Sequence, residues 1–341
     1  MQIKIDNRSS TPIYKQLVNA VSDAARKGEL PHDYRLPSMN ELAASEQISR
    51  ETVKKAYAIL TREGIIAPRQ GKGFYIVERN ADAKPRVLII FDRLSVYKQI
   101  IFTAFTETLK GKANITMLAH NQSLDLLAHY LDTHLDSFDW YVVEPHFPLD
   151  EESQKLALKL ISRIPNRKLI MLDRWMESMP GNYGAVFQNF ENDIYEGLQQ
   201  GLYRLERSRR LKVFTLPTSL YGPMIRKGID RFAADYRIRV EYITETPSRI
   251  SKGDVFLVLN SQLDWGLADL ARKVAGNGLV IGKDVFIISY NDFALNEVVL
   301  GGLTTVSTDF EQMGRIAAEM ILRGQLSKIH CNFRMNRRRT F

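Results

Sequence analysis

Cysteine is almost absent from this chain of 341 residues, where Cys331 is the only one. A single cysteine excludes a disulfide within the chain and fits a reducing compartment. The sequence also lacks any run of about 18 apolar residues, so it predicts no transmembrane helix. Its first residues, MQIKIDNRSS, lack the apolar core of a signal peptide. These absences predict a cytoplasmic protein that does not associate with a membrane.

Patterns typical of metal sites and catalytic sites are missing as well. The 6 histidines are scattered, and no group of Cys and His has the spacing of metal ligands. No nucleophile stands beside a base, and no lysine has the context of a cofactor site. The stretch Gly71-Lys72-Gly73 is too short for a phosphate-binding loop and does not lead from a strand into a helix. We therefore predict no enzyme activity, no cofactor and no metal ion.

Positive charge is the first feature that is present in excess. The net charge is +8, and residues 1–80 hold 13 Lys and Arg against 9 Asp and Glu. The first quarter of the chain thus carries half of the excess, although a solvated surface alone could give that number. It indicates a nucleic-acid partner only when the cations belong to a recognisable motif.

Such a motif spans residues 35–75. Ser38 can cap one helix, with Glu41 three residues later completing a capping box, and Ser49 can cap the next helix. Gly64 is placed to end that second helix. Two short apolar strands follow around a Gly-rich turn with cationic flanks. This order predicts a winged helix-turn-helix.

Three sequence blocks in this segment resemble the DNA-binding domain of the GntR family of bacterial transcription regulators. They are RLPS at 35–38 with Leu42-Ala43, SRETV at 49–53 with Ala56, and GKGF at 71–74. The resemblance predicts a DNA-binding domain over residues 1–76. Relatives often have Arg where this chain has Asn40, so a DNA contact there is absent or made by an amide.

The resemblance implies a set of DNA-contacting residues. Arg50 and Thr52 are the expected readers, because Arg can span guanine O6 and N7 and Thr can meet a phosphate or a thymine methyl. Arg35 and Lys54 are expected to hold phosphates, and the wing tip to enter the minor groove. The alternatives are a solvated helix end and a plain hairpin turn. The full set is Arg35, Ser38, Asn40, Ser49, Arg50, Thr52, Lys54, Gln70, Gly71, Lys72 and Gly73.

From residue 86 onward, apolar runs alternate with helical stretches. VLIIF, WYVVEP and DVFIISYND are examples of the strands, and the preceding polar stretch 77–85 reads as a linker. The alternation predicts the α/β class, with parallel sheets and helices on both faces. At this length we expect two Rossmann-like lobes over 86–341.

This second region resembles the periplasmic-binding-protein-like effector domain of LacI-type repressors. The resemblance rests on Leu172-Asp173-Arg174, FENDIYEGLQQGLYRL, VFLVLNSQ, GKDVFIISYNDF, LTTVSTDFEQMGRIAAEMIL and the closing RRRT. It implies dimerisation through this domain and a small effector. Joined to a GntR-type head, it is similar to the branch that senses sugars, as arabinose-responsive repressors do.

Ligands of open α/β sheets bind at the carboxyl ends of strands, and polar residues there are the effector candidates. Carboxylates and amides can bridge sugar hydroxyls, while an aromatic ring covers C–H surface. In the alternative interpretation the same residues cap helices or form ion pairs between lobes. The resemblance to LacI-type effector domains implies four of the candidates, which are Asp173, Asn260, Asn291 and Phe310. It also suggests Arg226, although relatives place their ligand Arg at the position that Ile225 occupies here. The further polar candidates at strand ends are Asp92, Arg93, Arg174 and Asp292.

Together these features predict a dimeric repressor that binds a double-stranded operator and is released by a neutral monosaccharide, arabinose-like or fucose-like. Few extra charges near the expected cleft favour a neutral sugar over a sugar phosphate. The alternatives are an activator of the same kind, an enzyme fused to a DNA-binding domain, and an architectural DNA-binding protein that needs no cleft.

Overall fold

The amino-terminal domain is a three-helix unit with a two-stranded wing. The computed structural model describes residues 5, 12–26, 28–77, 84–135, 137–208, 210–215, 219–259 and 265–341. The elements of this domain are α1 (Ile13–Arg26), α2 (Met39–Ser45), α3 (Arg50–Arg62), β1 (Ile66–Arg69) and β2 (Gly73–Ile76). Their apolar side chains form one buried core, which includes Leu17, Val53 and Leu60. The predicted winged helix-turn-helix is confirmed.

Capping residues set the helix limits in this domain. The Ser38 hydroxyl accepts a hydrogen bond from Glu41 N, and the Glu41 carboxylate accepts one from Ser38 N, at 3.2 and 2.7 Å. Ser49 Oγ accepts from Thr52 N at 3.1 Å at the start of α3. Gly64, with φ +67°, follows the end of α3 in the left-handed region that favours glycine. Both predicted caps and the predicted stop are therefore present.

Lobe 1 is a doubly covered sheet that holds six strands in the described part of the chain. Its strand order is β13-β7-β6-β5-β3-β4, with neighbouring strands parallel throughout. The strands are β3 (Arg86–Phe91), β4 (Asn114–Ala119), β5 (Trp140–Val143), β6 (Leu169–Asp173), β7 (Gly184–Phe187) and β13 (Lys328–His330). The helices are α4 (Val96–Leu109), α5 (Leu124–His134), α6 (Glu151–Ile161) and α11 (Phe310–Arg323), and a 3-10 turn spans Asn166–Lys168.

Lobe 2 repeats this architecture with one antiparallel edge. Its described strands follow the order β14-β12-β11-β10-β8-β9, and β14 runs antiparallel to β12. The strands are β8 (Arg210–Phe214), β9 (Arg239–Ile243), β10 (Val255–Val258), β11 (Phe286–Tyr290), β12 (Thr304–Thr308) and β14 (Phe333–Asn336). The helices are α7 (Phe190–Gln199), α8 (Leu202–Ser208), α9 (Gly222–Tyr236) and α10 (Trp265–Gly276), with 3-10 turns at Ala294–Glu297 and Val299–Gly301.

The chain passes between the lobes in three neighbouring segments. They connect β7 to α7, β12 to α11 and β13 to β14. Backbone hydrogen bonds tie them together, since Cys331 N donates to Phe187 O at 2.8 Å and Asp309 N to Asn332 O at 2.9 Å. The two-lobed α/β prediction is confirmed, and the carboxyl ends of the strands of both sheets face the space between the lobes.

Two local features differ from what the sequence pattern predicts. The stretch 190–205 reads as one helix, but the structure forms two, with a break at Gly201, where a Cβ would lie 2.8 Å from Met335 Cε and Phe341 Cε1. Strand β7 was not predicted, because its run GAVF is short and begins with Gly184. A Cβ at Gly184 would lie 3.0 Å from Ile170 and Leu326 side-chain atoms, so this strand needs glycine to pack.

Within the described residues, none of the helices is long and apolar enough to cross a membrane.

Candidate functional site

The amino-terminal end of α3 presents a polar surface on one side of the helix, and the opposite side is buried. Val53 and Tyr57 are buried on one side of the helix, whereas Arg50 and Lys54 are exposed on the other. Thr52 is half-buried, and its hydroxyl lies 2.7 Å from Ser49 Oγ. A helix amino terminus carries partial positive charge and free N–H groups, so this end can meet a phosphate or a base edge.

The wing tip lies at the surface of the same domain. Gln70, Gly71, Lys72 and Gly73 are all exposed, and the two glycines have φ values of +72° and +97°. Arg35 is exposed, and its backbone forms an antiparallel β-bridge with Tyr75 of the wing strand β2. The left-handed conformations of the two glycines fix the turn of this hairpin, and Lys72 gives its tip a positive charge.

The other predicted DNA contacts lie at helix starts. Ser38 and Asn40 are exposed at the start of α2. Ser38 and Ser49 already use their hydroxyls as cap acceptors, so only their remaining hydrogen-bonding capacity is available to DNA. The assignment of all eleven residues to DNA contact stays a prediction.

In lobe 1, three buried carboxylates gather around one lysine. Asp92 follows β3, Glu144 follows β5 and Asp173 ends β6, so parallel topology brings them to one sheet edge. Lys98, in α4, donates to Glu144 and, at 2.7 Å, to Asp173 Oδ2. Burial opposes ionisation of Asp173, but the Lys98 ammonium holds the pKa of that carboxyl below its usual value.

His146 lies beside this cluster. Its Nδ1 is 3.8 Å from Asp92 Oδ2 and its Nε2 is 3.3 Å from Asp173 Oδ2. Burial, with help from Lys98, lowers the pKa of His146 and so favours the neutral ring. His146 Nε2 makes no hydrogen bond with the described residues although it is buried. It is therefore a candidate for contact with a ligand.

Asp92, Glu144 and His146 have the ligand types and the proximity of a metal site, since their ligand atoms lie within 4.8 Å of one another. The spacing of Cys and His in the sequence does not reveal this group, because two of its members are carboxylates that follow separate strands. Lys98 already bonds to Glu144. This ammonium neutralises only part of the charge of the three carboxylates, and it occupies the Glu144 oxygen that a metal ion would also use.

Lobe 2 meets this cluster through Tyr221, which precedes α9. Its ring lies 4.8 Å from the His146 ring and stacks on Phe190 at 4.2 Å. Arg174 lies 5.9 Å from the same ring. The Tyr221 hydroxyl is buried and has no hydrogen-bond partner among the described residues. An aromatic wall and an unused hydroxyl thus face the carboxylates across the cleft.

Asp173 and Asn291 occupy similar positions in the two lobes. Asp173 ends β6 with φ +67°, and Asn291 follows β11 with φ +70°. Such left-handed backbone is uncommon outside glycine, and Asp and Asn tolerate it best. Buried Asn291 Oδ1 and the adjacent Tyr290 hydroxyl have no hydrogen-bond partner in the described residues.

Several predicted effector residues have other partners. Asp292 forms a bidentate ion pair with Arg338, at 2.9 Å for both bonds. Arg226 is exposed and lies over the Tyr242 ring at 4.1 Å. Phe310 is buried and stacks on a neighbouring tyrosine at 5.3 Å.

Two arginines and one asparagine complete the set of predictions. Arg93 is mostly exposed and lies 3.4 Å from Asp92 Oδ2. Arg174 donates to Gln154 Oε1 at 3.0 Å at the edge of the cleft. Asn260 lies outside the described residues. The structure therefore brings Asp92 and Asp173 together, with Arg93 and Arg174 at the margin.

Sequence reasoning missed the residues that complete the cluster. Glu144 and His146 follow strand β5 in the run WYVVEPHF, so the rule that polar residues follow buried strands could have found them. Lys98 lies in an apolar helix, and nothing local in the sequence marks its partners 46 and 75 residues away. Tyr221 is one tyrosine of 14 and carries no distinguishing pattern.

Comparison with known proteins gives two family matches. Residues 13–76 match the bacterial regulatory proteins of the gntR family, and residues 231–329 match a periplasmic binding protein-like domain. The HTH-type transcriptional repressor YtrA of Bacillus subtilis is 46% identical over 76 residues, which are 22% of this chain and 58% of that protein. The uncharacterised regulator YurK of the same organism matches over 30% of its length. The chain thus covers less than two thirds of the length of these relatives.

Longer matches are more distant. The arabinose metabolism transcriptional repressor of Geobacillus stearothermophilus is 23% identical over 91% of this chain and 90% of that protein. Among solved structures, the trehalose repressor from Escherichia coli gives a TM-score of 0.59 at 16% identity, covering 74% of this chain and all of that one. A lac repressor dimer bound to operator and the anti-inducer ONPF gives 0.58 at 15% identity, covering 76% and 95%. These structures share the two-lobed fold.

Proposed function

Because this chain joins a GntR-type helix-turn-helix domain to a periplasmic-binding-protein-like domain, we propose that it is a transcriptional repressor controlled by a small effector. The head binds operator DNA through the amino terminus of α3 and the wing. The effector binds between the lobes and lowers operator affinity. A typical coupling of about 1–3 kcal/mol gives a 5–150-fold change in affinity. Such a protein acts in the cytoplasm, where its operator is.

The observation that carries the effector site is a set of unpaired polar atoms. His146 Nε2 belongs to lobe 1, whereas Tyr221 OH, Tyr290 OH and Asn291 Oδ1 belong to lobe 2, and none has a hydrogen-bond partner among the described residues. A buried polar group without a partner costs about 1–3 kcal/mol. A ligand that offers both donors and acceptors to the two lobes removes that cost.

The charges favour a neutral polyhydroxyl effector. The buried groups are three carboxylates and one ammonium, so a phosphate would meet net negative charge. Sugar hydroxyls can donate to carboxylates, and charged acceptors form the stronger hydrogen bonds. Tyr221 and Phe190 offer an apolar face for the C–H surface of a sugar. The arabinose repressor of G. stearothermophilus, similar over nearly the whole chain, makes an arabinose-like or fucose-like monosaccharide the first candidate.

We also propose a homodimer, whose surface lies between α4 and α11. A groove of about 870 Å³ there is lined by Val96, Phe293 and Leu295, among others. Leu94 and Val298, close by in sequence, are 65% and 68% exposed. Exposed apolar clusters of this kind mark interaction sites. Light scattering after size exclusion should show a dimer that Val298→Asp weakens, and a monomeric wild type would refute this part.

The effector proposal is tested by a thermal-shift screen with neutral monosaccharides, including L-arabinose and L-fucose, and with their phosphates. A sugar that stabilises the protein is then followed by calorimetry and by its effect on operator binding, with an operator selected from random DNA by the protein itself. Loss of operator affinity on sugar addition supports a repressor, and a gain indicates an activator. Conversion of the sugar to a product would indicate an enzyme instead.

Asp173→Ala connects this screen to the site. Removal of a charged acceptor should weaken sugar binding by at least tenfold, about 1.5–3 kcal/mol, while operator binding stays within twofold. Lys98 keeps Glu144 as a partner in this variant, so the fold should survive. Asp230→Ala, at an exposed carboxylate of lobe 2, is the matched control. Near-wild-type sugar affinity in folded Asp173→Ala would remove this residue from the site.

A further inference from the structure

The DNA-binding domain contacts lobe 1 through a buried charged cluster. Glu63, the residue after α3, receives a hydrogen bond from Lys168 Nζ at 2.6 Å, and Arg167 Nη2 lies 3.4 Å from its other oxygen. The side chains of Glu63 and Lys168 are each only 8% exposed. Two charges removed from water in this way are stable only as partners, and loss of one leaves the other unpaired at high cost.

Two further polar contacts surround this pair. Arg167 Nε donates to Asn19 Oδ1 at 2.8 Å, and Lys15 Nζ donates to the Arg163 carbonyl at 2.6 Å. Both hydrogen bonds join α1 to the segment between α6 and β6. The buried apolar core of the head contains no described residue of lobe 1. The contact is therefore polar and directional, and no shared apolar core joins the two domains.

The turn that holds the head leads straight into the effector site. Lys168 ends the 3-10 turn, β6 starts at the next residue, and Asp173 ends β6. All five residues of β6 are buried, and the strand is paired on both sides, with β5 and β7. A five-residue strand spans about 17 Å. One rigid strand thus has the head contact at one end and a candidate effector ligand at the other.

Docking leaves the DNA-reading end of the head free. Glu63 lies at the carboxyl end of α3, while Arg50 is exposed at its amino end. A helix of 13 residues is about 20 Å long. The contact therefore fixes the orientation of the recognition helix without covering its reading surface.

We propose that Glu63, Arg167 and Lys168 form a latch that holds the DNA-binding domain on lobe 1, and that β6 connects this latch to the effector site. The latch sets the direction in which each recognition helix points. A shift of β6 on effector binding changes that direction. The coupling half of this inference rests on the proposed effector function, whereas the latch itself does not.

The latch is tested without effector or DNA. Spin labels at Ala58→Cys and Lys159→Cys, both at exposed positions of α3 and α6, report the distance between head and lobe 1. Native Cys331 is buried, so it does not compete for label. Labelled chains are diluted with unlabelled protein so that only pairs within one chain are measured. The wild type should give a narrow distance distribution.

The test variant is Glu63→Gln with Lys168→Met, which leaves neither member of the pair charged. We expect a distribution at least twice as broad, with circular dichroism unchanged. The exchange Glu63→Lys with Lys168→Glu, combined with Arg167→Gln so that the new ammonium does not face a second cation, should restore much of the narrow distribution, because it rebuilds the pair. Lys212→Met with Asp254→Asn removes a similar pair inside lobe 2 and should leave the distribution unchanged.

A distribution in the double variant as narrow as in wild type, or a wild type that is already broad, would overturn the latch. If the double variant does not fold, the distance distribution of the single variant Glu63→Gln is judged by the same criterion.

The coupling between the latch and the effector site is measured separately with L-arabinose, or whichever monosaccharide binds in calorimetry. The latch variant should bind that sugar with an affinity within twofold of wild type. The factor by which the sugar changes operator affinity should, however, be at least five times smaller than in wild type. An unchanged response would refute the connection through β6, and absence of any sugar binding would refute only the proposed effector.

Discussion

Lys98→Met removes the ammonium that bridges Glu144 and Asp173. The three side chains are 8%, 0% and 4% exposed, so neither carboxylate can turn to water. Breaking a buried ion pair in this way costs about 3–5 kcal/mol. Asp173 keeps a hydrogen bond from Gln188, and Glu144 keeps one from Asp92 N at 2.8 Å. We therefore expect the lower part of that range, about 3 kcal/mol.

The stability of the folded protein should change with pH in opposite directions in the wild type and in Lys98→Met. In the wild type the pKa of Asp173 is lowered, chiefly by Lys98 against the effect of burial, so the stability it contributes is lost as pH falls below its unfolded value. Without Lys98, burial alone should raise the pKa of Asp173 above that value. Protonation then stabilises the folded variant, and its stability should increase as pH falls from 7 to about 5.

The assay is urea denaturation followed by circular dichroism at pH 7 and pH 5. Lys98→Met should lose most stability at pH 7 and recover part of it at pH 5, and an added Asp173→Asn should recover part of it at both. Lys212→Met, whose partner Asp254 keeps a hydrogen bond from Ser251 N at 2.9 Å, is the control for removal of a lysine. A loss below about 1 kcal/mol with a wild-type pH profile would show that Lys98 does not balance these carboxylates.

Three other perturbations have defined outcomes. Arg50→Ala should cost about 1–3 kcal/mol of specific operator binding and leave sugar affinity unchanged, and a gel-shift change below twofold would exclude Arg50 as a reader. Lys72→Ala should weaken binding to all DNA sequences alike and reduce the salt slope by about one unit, whereas a sequence-selective loss would contradict a phosphate role. Burial raises the pKa of Asp193 to about 6 even though His330 opposes this. The protonated Asp193 carboxyl therefore stabilises the fold at low pH, and this stabilisation is lost as pH rises through that value. Asp193→Asn should therefore flatten the stability profile between about pH 4 and pH 6, and parallel profiles would contradict the assignment.

The DNA-binding domain was predictable in detail because its signals are local. Ser38 and Ser49 cap their helices within three residues, and Gly64 and Gly71 fix the chain by their own conformation. The apolar runs VLIIF, WYVVEP and DVFIISYND likewise predicted β3, β5 and β11 within a few residues. Strand β7 escaped because packing around Gly184, and not a periodic pattern, makes it a strand.

The candidate effector site was predictable only in part. The rule that ligands contact polar residues at strand ends found Asp92 and Asp173, but it also selected Asp292. That carboxylate is paired with Arg338, which lies 46 residues later in the chain. Whether a strand-end carboxylate faces a ligand or an arginine is decided by distant residues, and a single sequence does not reveal them. The same limit hid Lys98, whose role depends on two partners on other strands.

The unpaired polar atoms of the cleft also indicate how binding could reach the DNA. The lobes are close enough for the His146 and Tyr221 rings to be in contact. In this arrangement several buried polar atoms lack hydrogen-bond partners among the described residues, each at a cost of about 1–3 kcal/mol. That cost disfavours the closed arrangement when the cleft contains no ligand and disappears when an effector supplies the partners. An effector can shift an equilibrium only by its differential affinity for the two states, and these atoms provide such a difference. In the proposed mechanism, closure shifts the carboxyl end of β6, and the buried Glu63–Lys168 pair at its other end passes that shift to the recognition helix.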